Sequence, residues 1–175
     1  MKKTAKITFC AMMAALATSF MLLSYFPYLT YAIPAIAGLF IMVLVIEIDC
    51  KWAFAGYLAS AFLVFLFAEP ESKLMYICLF GYYPILKAGI EKMGKPIIEW
   101  ILKLAVFTVA VAAVYYVLAG VFGISLNDMG DFGKYGIVFL LIFGAAVFVF
   151  YDIAVSRMAS MYMRVLHRKL RKMFK

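Results

Sequence analysis

The chain has 175 residues, 68% of them hydrophobic and 15% charged, against roughly 45–50% apolar and about 25% charged in a soluble domain. That excludes an ordinary soluble fold and indicates an integral membrane protein; the continuous apolar runs also exclude a β-barrel, whose strands alternate. The net charge of +8 follows the distribution of Lys and Arg on cytoplasmic loops rather than a nucleic-acid patch, so no nucleic-acid partner is expected.

The start, Met1-Lys2-Lys3-Thr4-Ala5-Lys6, leads into an apolar run over residues 7–25. That run is longer than a signal-peptide core of about 7–15 residues and leads into further apolar sequence. It is read as the first span. Ala11, Ala15 and Ser19 are spaced four apart, and Ala14 and Thr18 lie on an adjacent row. Such a small-xxx-small face allows close helix approach, either inside the bundle or against another subunit.

Pro27 to Tyr31 reads as a turn, and span two as residues 32–46, with Pro34 in its first turn. Glu47 to Lys51 break the apolar run. Span three covers 52–68, with Ala55, Gly56, Ala59 and Ser60 giving a second small-residue face, and Glu69 to Lys73 follow as a polar turn. Span four covers 74–90. Gly81 and Pro84 fall inside it, predicting a kink near Leu79 to Pro84, because proline removes a helical hydrogen bond and clashes with the preceding turn. The kink either serves packing or borders an internal polar space.

A hairpin over 88–95 leads to Pro96, well placed to open span five at 97–122. Glu99 and Lys103 have the favourable i,i+4 order for a helical ion pair, with a proton or substrate relay as the alternative. Residues 123–134 read as a loop, and span six is expected over 135–155. Asp152 near its inner end is expected to be paired, with Arg157 five residues on, or interfacial. The tail, 158–175, combines Met158, Met161, Tyr162, Val165 and Leu166 at helical spacing with a basic component from Arg164 to Lys175. It reads as an amphipathic helix on anionic lipid or packed beneath the bundle, with a cytoplasmic subunit as the alternative contact.

The expected fold is therefore an all-α membrane bundle of six helices with a basic amphipathic C-terminal helix. With the N-terminus inside, all but Lys73 and Lys134 of the 17 Lys and Arg residues fall on the inner side, so both ends are expected in the cytoplasm. There is no strong internal repeat.

Cys10, Cys50 and Cys78 have no paired spacing, and the single histidine, His167, lies in the tail. No metal site, disulfide framework or cofactor is expected. Phosphate loops, His-Glu-x-x-His and Gly-x-Ser-x-Gly are absent, which weighs against an enzyme. Six helices can still enclose a small-molecule pocket. Its expected outer lining is drawn from Tyr25, Tyr28, Tyr31, Tyr76, Tyr82, Tyr83, Tyr115 and Tyr116. The rim would hold Glu69, Glu71, Lys73, Asp128, Asp131 and Lys134. Tyrosines supply flat apolar faces with an orienting hydroxyl; they also form interfacial belts.

The Lys-rich start, Ala11-Met12-Met13-Ala14-Ala15 with Ser19, the Pro27 to Pro34 turn, Ala35-Ile36-Ala37-Gly38 and the six-span layout resemble the substrate-binding S component of an energy-coupling factor (ECF) transporter. The resemblance implies a bacterial plasma-membrane subunit that captures a vitamin or similar micronutrient from outside. It further implies docking through helix one onto a transmembrane coupling subunit that associates with two cytoplasmic ATPases. Ala11 and Ala15 match the docking alanines. The alternative is a membrane scaffold or regulatory protein without a transported ligand.

Overall fold

The computed structural model describes residues 3–26, 28–122 and 136–165. Among them every regular element is helical. The helices are α1 (Lys3–Met21, extended by a 3₁₀ turn Leu22–Tyr25), α2 (Ala32–Glu47), α3 (Cys50–Phe67), α4 (Pro70–Met75), α5 (Tyr83–Glu91), α6 (Pro96–Phe122) and α7 (Gly136–Val165). A π-helical turn, Tyr76–Phe80, joins α4 to α5.

Four segments, Lys3–Tyr25, Cys50–Phe67, Pro96–Val114 and Ile142–Val165, are long and apolar enough to cross a membrane, and Ala32–Glu47 is a shorter apolar helix. Phe62, Val109 and Phe150 are among many large apolar side chains left exposed. In water so much apolar surface would drive association; around a membrane bundle it faces hydrocarbon. Helix length and surface together are those of a membrane protein.

α2 is the hub. It packs against α1, α3, α5, α7 and the π turn, and it buries Ile33, Ala37, Ile41 and Leu44. α1 contributes Phe9, Cys10, Ala14, Ala17 and Met21 to the interior, and α3 contributes Ala53, Tyr57, Ser60, Ala61 and Val64. A second core joins Leu79 and Tyr83 to Phe107 and Ala110 of α6 and Phe148 of α7. There the Tyr83 and Phe107 rings both contact Phe148, with centroids 4.9 and 4.8 Å away.

The kink in the fourth expected span is present, and its cause is visible. Pro84 has no N–H to offer the carbonyl of Phe80, so the regular helical pattern fails there. The chain widens instead, with Gly81 N–H donating to the Tyr76 carbonyl, 2.8 Å away. Two glycines make room for this turn. A Cβ on Gly81 would lie 2.7 Å from the Tyr57 ring, and one on Gly38 would lie 2.5 Å from the freed Phe80 oxygen. The gap is braced by polar contacts: Tyr57 donates to the Ile77 carbonyl at 2.7 Å, and Ser60 and Tyr76 share a hydrogen bond of 2.8 Å.

Two local expectations change. Glu69 to Lys73, expected as a turn, instead opens α4, because Pro70 at the first helical position is preset for it and lacks only a donor that is unused there. Residues 158–165 are not a separate helix; they continue α7 without interruption. The rest of the basic tail, 166–175, lies outside the described residues. Span five is one helix from Pro96 onward, as expected.

Candidate functional site

Lys87, Lys103 and Asp152 each sit in an apolar stretch, and the fold brings them together. Lys87 is on α5, one turn beyond the kink; Lys103 is on α6, two turns from Pro96; Asp152 is on α7. Lys87 Nζ contacts Asp152 Oδ1 and also donates to the Asp152 carbonyl at 3.2 Å. Lys103 Nζ lies 3.1 Å from Oδ2 of the same carboxylate. The Tyr83 hydroxyl donates to Oδ1 as well. The fourth charge is Glu91, at the end of α5. Its Oε1 accepts from both lysines, at 3.0 Å from Lys87 and 2.9 Å from Lys103.

The four charges cancel. They differ in exposure: the side chains of Lys87, Lys103 and Asp152 are 5 or 6% exposed, while that of Glu91 is 43% exposed. Burial disfavours the Glu91 carboxylate, but the Lys103 and Lys87 ammonium groups outweigh it and hold its pKa below the usual range. Trp100 flanks the group, its ring 5.7 Å from Lys103 Nζ. Charged groups at this depth are costly unless paired, and here each has at least two partners. The cluster ties α5, α6 and α7 together and anchors the helix beyond the kink.

These pairings revise two sequence expectations. Lys103 bonds Glu91 and Asp152 rather than Glu99. Asp152 is paired, as expected, but with Lys87 and Lys103 from other helices rather than with Arg157 on its own. A buried cluster was not expected, although a signal existed. Intramembrane charges of opposite sign seek one another, and these three are the charges set deepest in otherwise apolar runs.

The tyrosines expected to line one pocket are dispersed. Tyr28 is 99% exposed in the turn before α2, with a positive φ of 73°. Tyr31 is also exposed and donates to Glu71 at 3.2 Å. Partial burial and the nearby Glu71 and Glu69 carboxylates push the Tyr31 phenol above its ordinary range. Tyr76 is fully buried against Ser60. Tyr82 is half-buried and meets the Tyr57 ring edge-on, and Tyr83 belongs to the charged cluster. Of the expected lining, Tyr28 and Tyr31 share the exposed end, with Tyr25, whose hydroxyl bonds the Phe67 carbonyl at 2.9 Å. The Tyr115 side chain, Asp128 and Asp131 lie outside the described residues.

On α1 the two small-residue rows separate. Cys10, Ala14 and Ala17 face the interior, whereas Ala11, Ala15 and Ser19 are exposed. Among the described residues no group of three or more His, Cys, Asp or Glu side chains is arranged to hold a metal ion. No protein-family model, curated protein or solved structure matches the chain.

Proposed function

We propose that this protein is the substrate-capture subunit of an ECF-type uptake transporter. It takes up a small molecule at the end of the bundle that carries Tyr25, Tyr28 and Tyr31, and couples through α1 to a membrane partner and two ATPases. The observation that carries the reading is the free face of α1. The bundle uses the Ala14 row of that helix and leaves Ala11, Ala15 and Ser19 uncovered. Alanine and serine expose little apolar area and bring little lipid-facing bulk; their advantage is close approach of a second backbone. A helix already packed on one small-residue row and presenting a second is suited to an intermittent partner.

In this reading the bent unit α4–π turn–α5 is a single span. The topology then has six spans with both ends in the cytoplasm of a bacterial cell, and Lys87, Glu91 and the hairpin lie at the inner end. The basic tail would rest on anionic lipid. The tyrosines and Glu69 and Glu71 at the other end would meet the substrate. A partner shifts the equilibrium between outward and inward states only through different affinity for them. Docking at α1 supplies that difference without requiring catalytic groups in this chain.

The test is substitution of the uncovered row. Ala15→Trp should abolish uptake of whatever metabolite co-purifies with the protein while leaving its binding to the isolated subunit intact. Uptake at the normal rate in that variant would remove the docking role.

A further inference from the structure

The two buried lysines are neutralised by acids of unequal standing. Asp152 is buried and engaged through both carboxylate oxygens. Glu91 is 43% exposed and, among the described residues, engaged through Oε1, on which both ammonium groups converge at 3.0 and 2.9 Å. Glu91 is also the last residue of α5, followed by the 92–95 connection; helix ends fray more readily than interiors. Of the four groups it is therefore the one free to leave. With Glu91 turned outward, Lys87, Lys103 and Asp152 carry a net charge of +1, and two buried ammonium groups aim at one vacated oxygen position. Another singly charged oxyanion would restore the balance like for like. The indole of Trp100 beside Lys103 offers a flat face to such a ligand's apolar body. Lys92 and Lys95, exposed on the adjoining connection, raise the local concentration of anions.

We propose that Lys87 and Lys103 form a binding site for a singly charged oxyanion, a carboxylate or phosphodiester, and that Glu91 is the built-in plug the ligand displaces. The site lies at the opposite end of the chain's fourth span from Tyr31 and Glu71, and it stands apart from the capture reading, since it requires no transport partner. The shared chemistry has two sources: a soluble carboxylate, or the phosphodiester of an anionic lipid headgroup. A lipid would reach the site from the side and a soluble ion from the exposed edge of Glu91.

The experiment uses the full chain in a neutral detergent, with melting temperature as the readout at constant ionic strength. Glu91→Gln should melt below the wild type in chloride. It should regain at least half of that loss on exchange of chloride for acetate, or on addition of phosphatidylglycerol with phosphatidylcholine as the net-neutral control. Recovery by acetate alone assigns a soluble ligand, and recovery by phosphatidylglycerol alone assigns a lipid. The double variant Lys87→Met/Glu91→Gln, balanced without an added anion, should not respond. A Glu91→Gln protein insensitive to both probes, or a double variant equally sensitive, overturns the site. If Glu91→Gln does not fold, Glu91→Asp, with its shorter arm, should rise in melting temperature with acetate or phosphatidylglycerol; no rise with either also overturns it.

Discussion

Replacing Asp152 by asparagine tests the buried cluster most sharply. The substitution preserves shape and removes one charge from a side chain only 5% exposed that engages Lys87, Lys103 and Tyr83. Breaking a buried ion pair from one side costs about 3–5 kcal/mol, because the remaining charge is left uncompensated. Here Glu91 still faces both lysines, so the lower end, about 3 kcal/mol, is expected. For a chain of this size that is a fall in melting temperature of about 6–12 °C. Adding Lys87→Met should recover most of it, since Lys103 and Glu91 then form a balanced pair and a methionine fills the lysine's apolar stem. The assay is thermal unfolding of the purified protein in detergent, run as a double-mutant cycle over the two sites. If Asp152→Asn melts with the wild type, or if the double variant falls by the sum of the single losses, the cluster does not hold α5 to α7.

The remaining predictions concern the kink, the exposed carboxylate and α1. Gly38→Ala places a methyl 2.5 Å from the Phe80 oxygen and 2.9 Å from the Tyr151 hydroxyl; the backbone carbonyl cannot turn aside, so a loss of about 1–3 kcal/mol is expected by thermal unfolding. Tyr76→Phe removes the hydroxyl shared with Ser60 and should cost about 1 kcal/mol by the same measurement, more than the same change at exposed Tyr28. Because the folded-state pKa of Glu91 is depressed, its contribution is complete above the unfolded carboxylate pKa and is lost as pH falls through the lower folded value. Wild-type melting temperature should therefore drop more steeply than that of Glu91→Gln as pH is taken below about 4.3. Ala15→Trp should leave melting within about 0.5 kcal/mol of the wild type, since the position is exposed, and a large loss would mean that this row packs within the bundle.

Much of the helical layout could be read from apolar run length and breakers. Pro96 opens α6 and Pro34 sits early in α2, because a missing N–H is harmless there. Gly81 and Pro84 marked the kink, although which carbonyl lost its partner and how the chain widened depended on Gly38 in another helix. α4 was missed because a charged Glu-Pro-Glu segment resembles a turn while Pro70 is an equally good helix start. The continuation of α7 past Val155 is not legible in the sequence because composition changes from apolar to basic while the backbone goes on as one helix. At the site, local spacing misled: Glu99 and Lys103 fit an i,i+4 pair, but Lys103 meets Glu91 and Asp152 from the neighbouring helices instead. The described tyrosines of the expected lining are spread over different surroundings. Tyr76 opens the π turn and Tyr82 and Tyr83 follow it, and the turn sets them in separate environments.

The claim that the chain captures a substrate for an ECF-type machine is tested most directly by purifying it from its native membrane in mild detergent, with mass spectrometry of the proteins and small molecules that accompany it. A transmembrane coupling subunit, two ATPases and one bound metabolite should accompany the chain, with the protein partners lost from Ala15→Trp and the metabolite retained. Recovery of the chain with no coupling subunit or ATPase, or with the same partners in the Ala15→Trp variant, would contradict it.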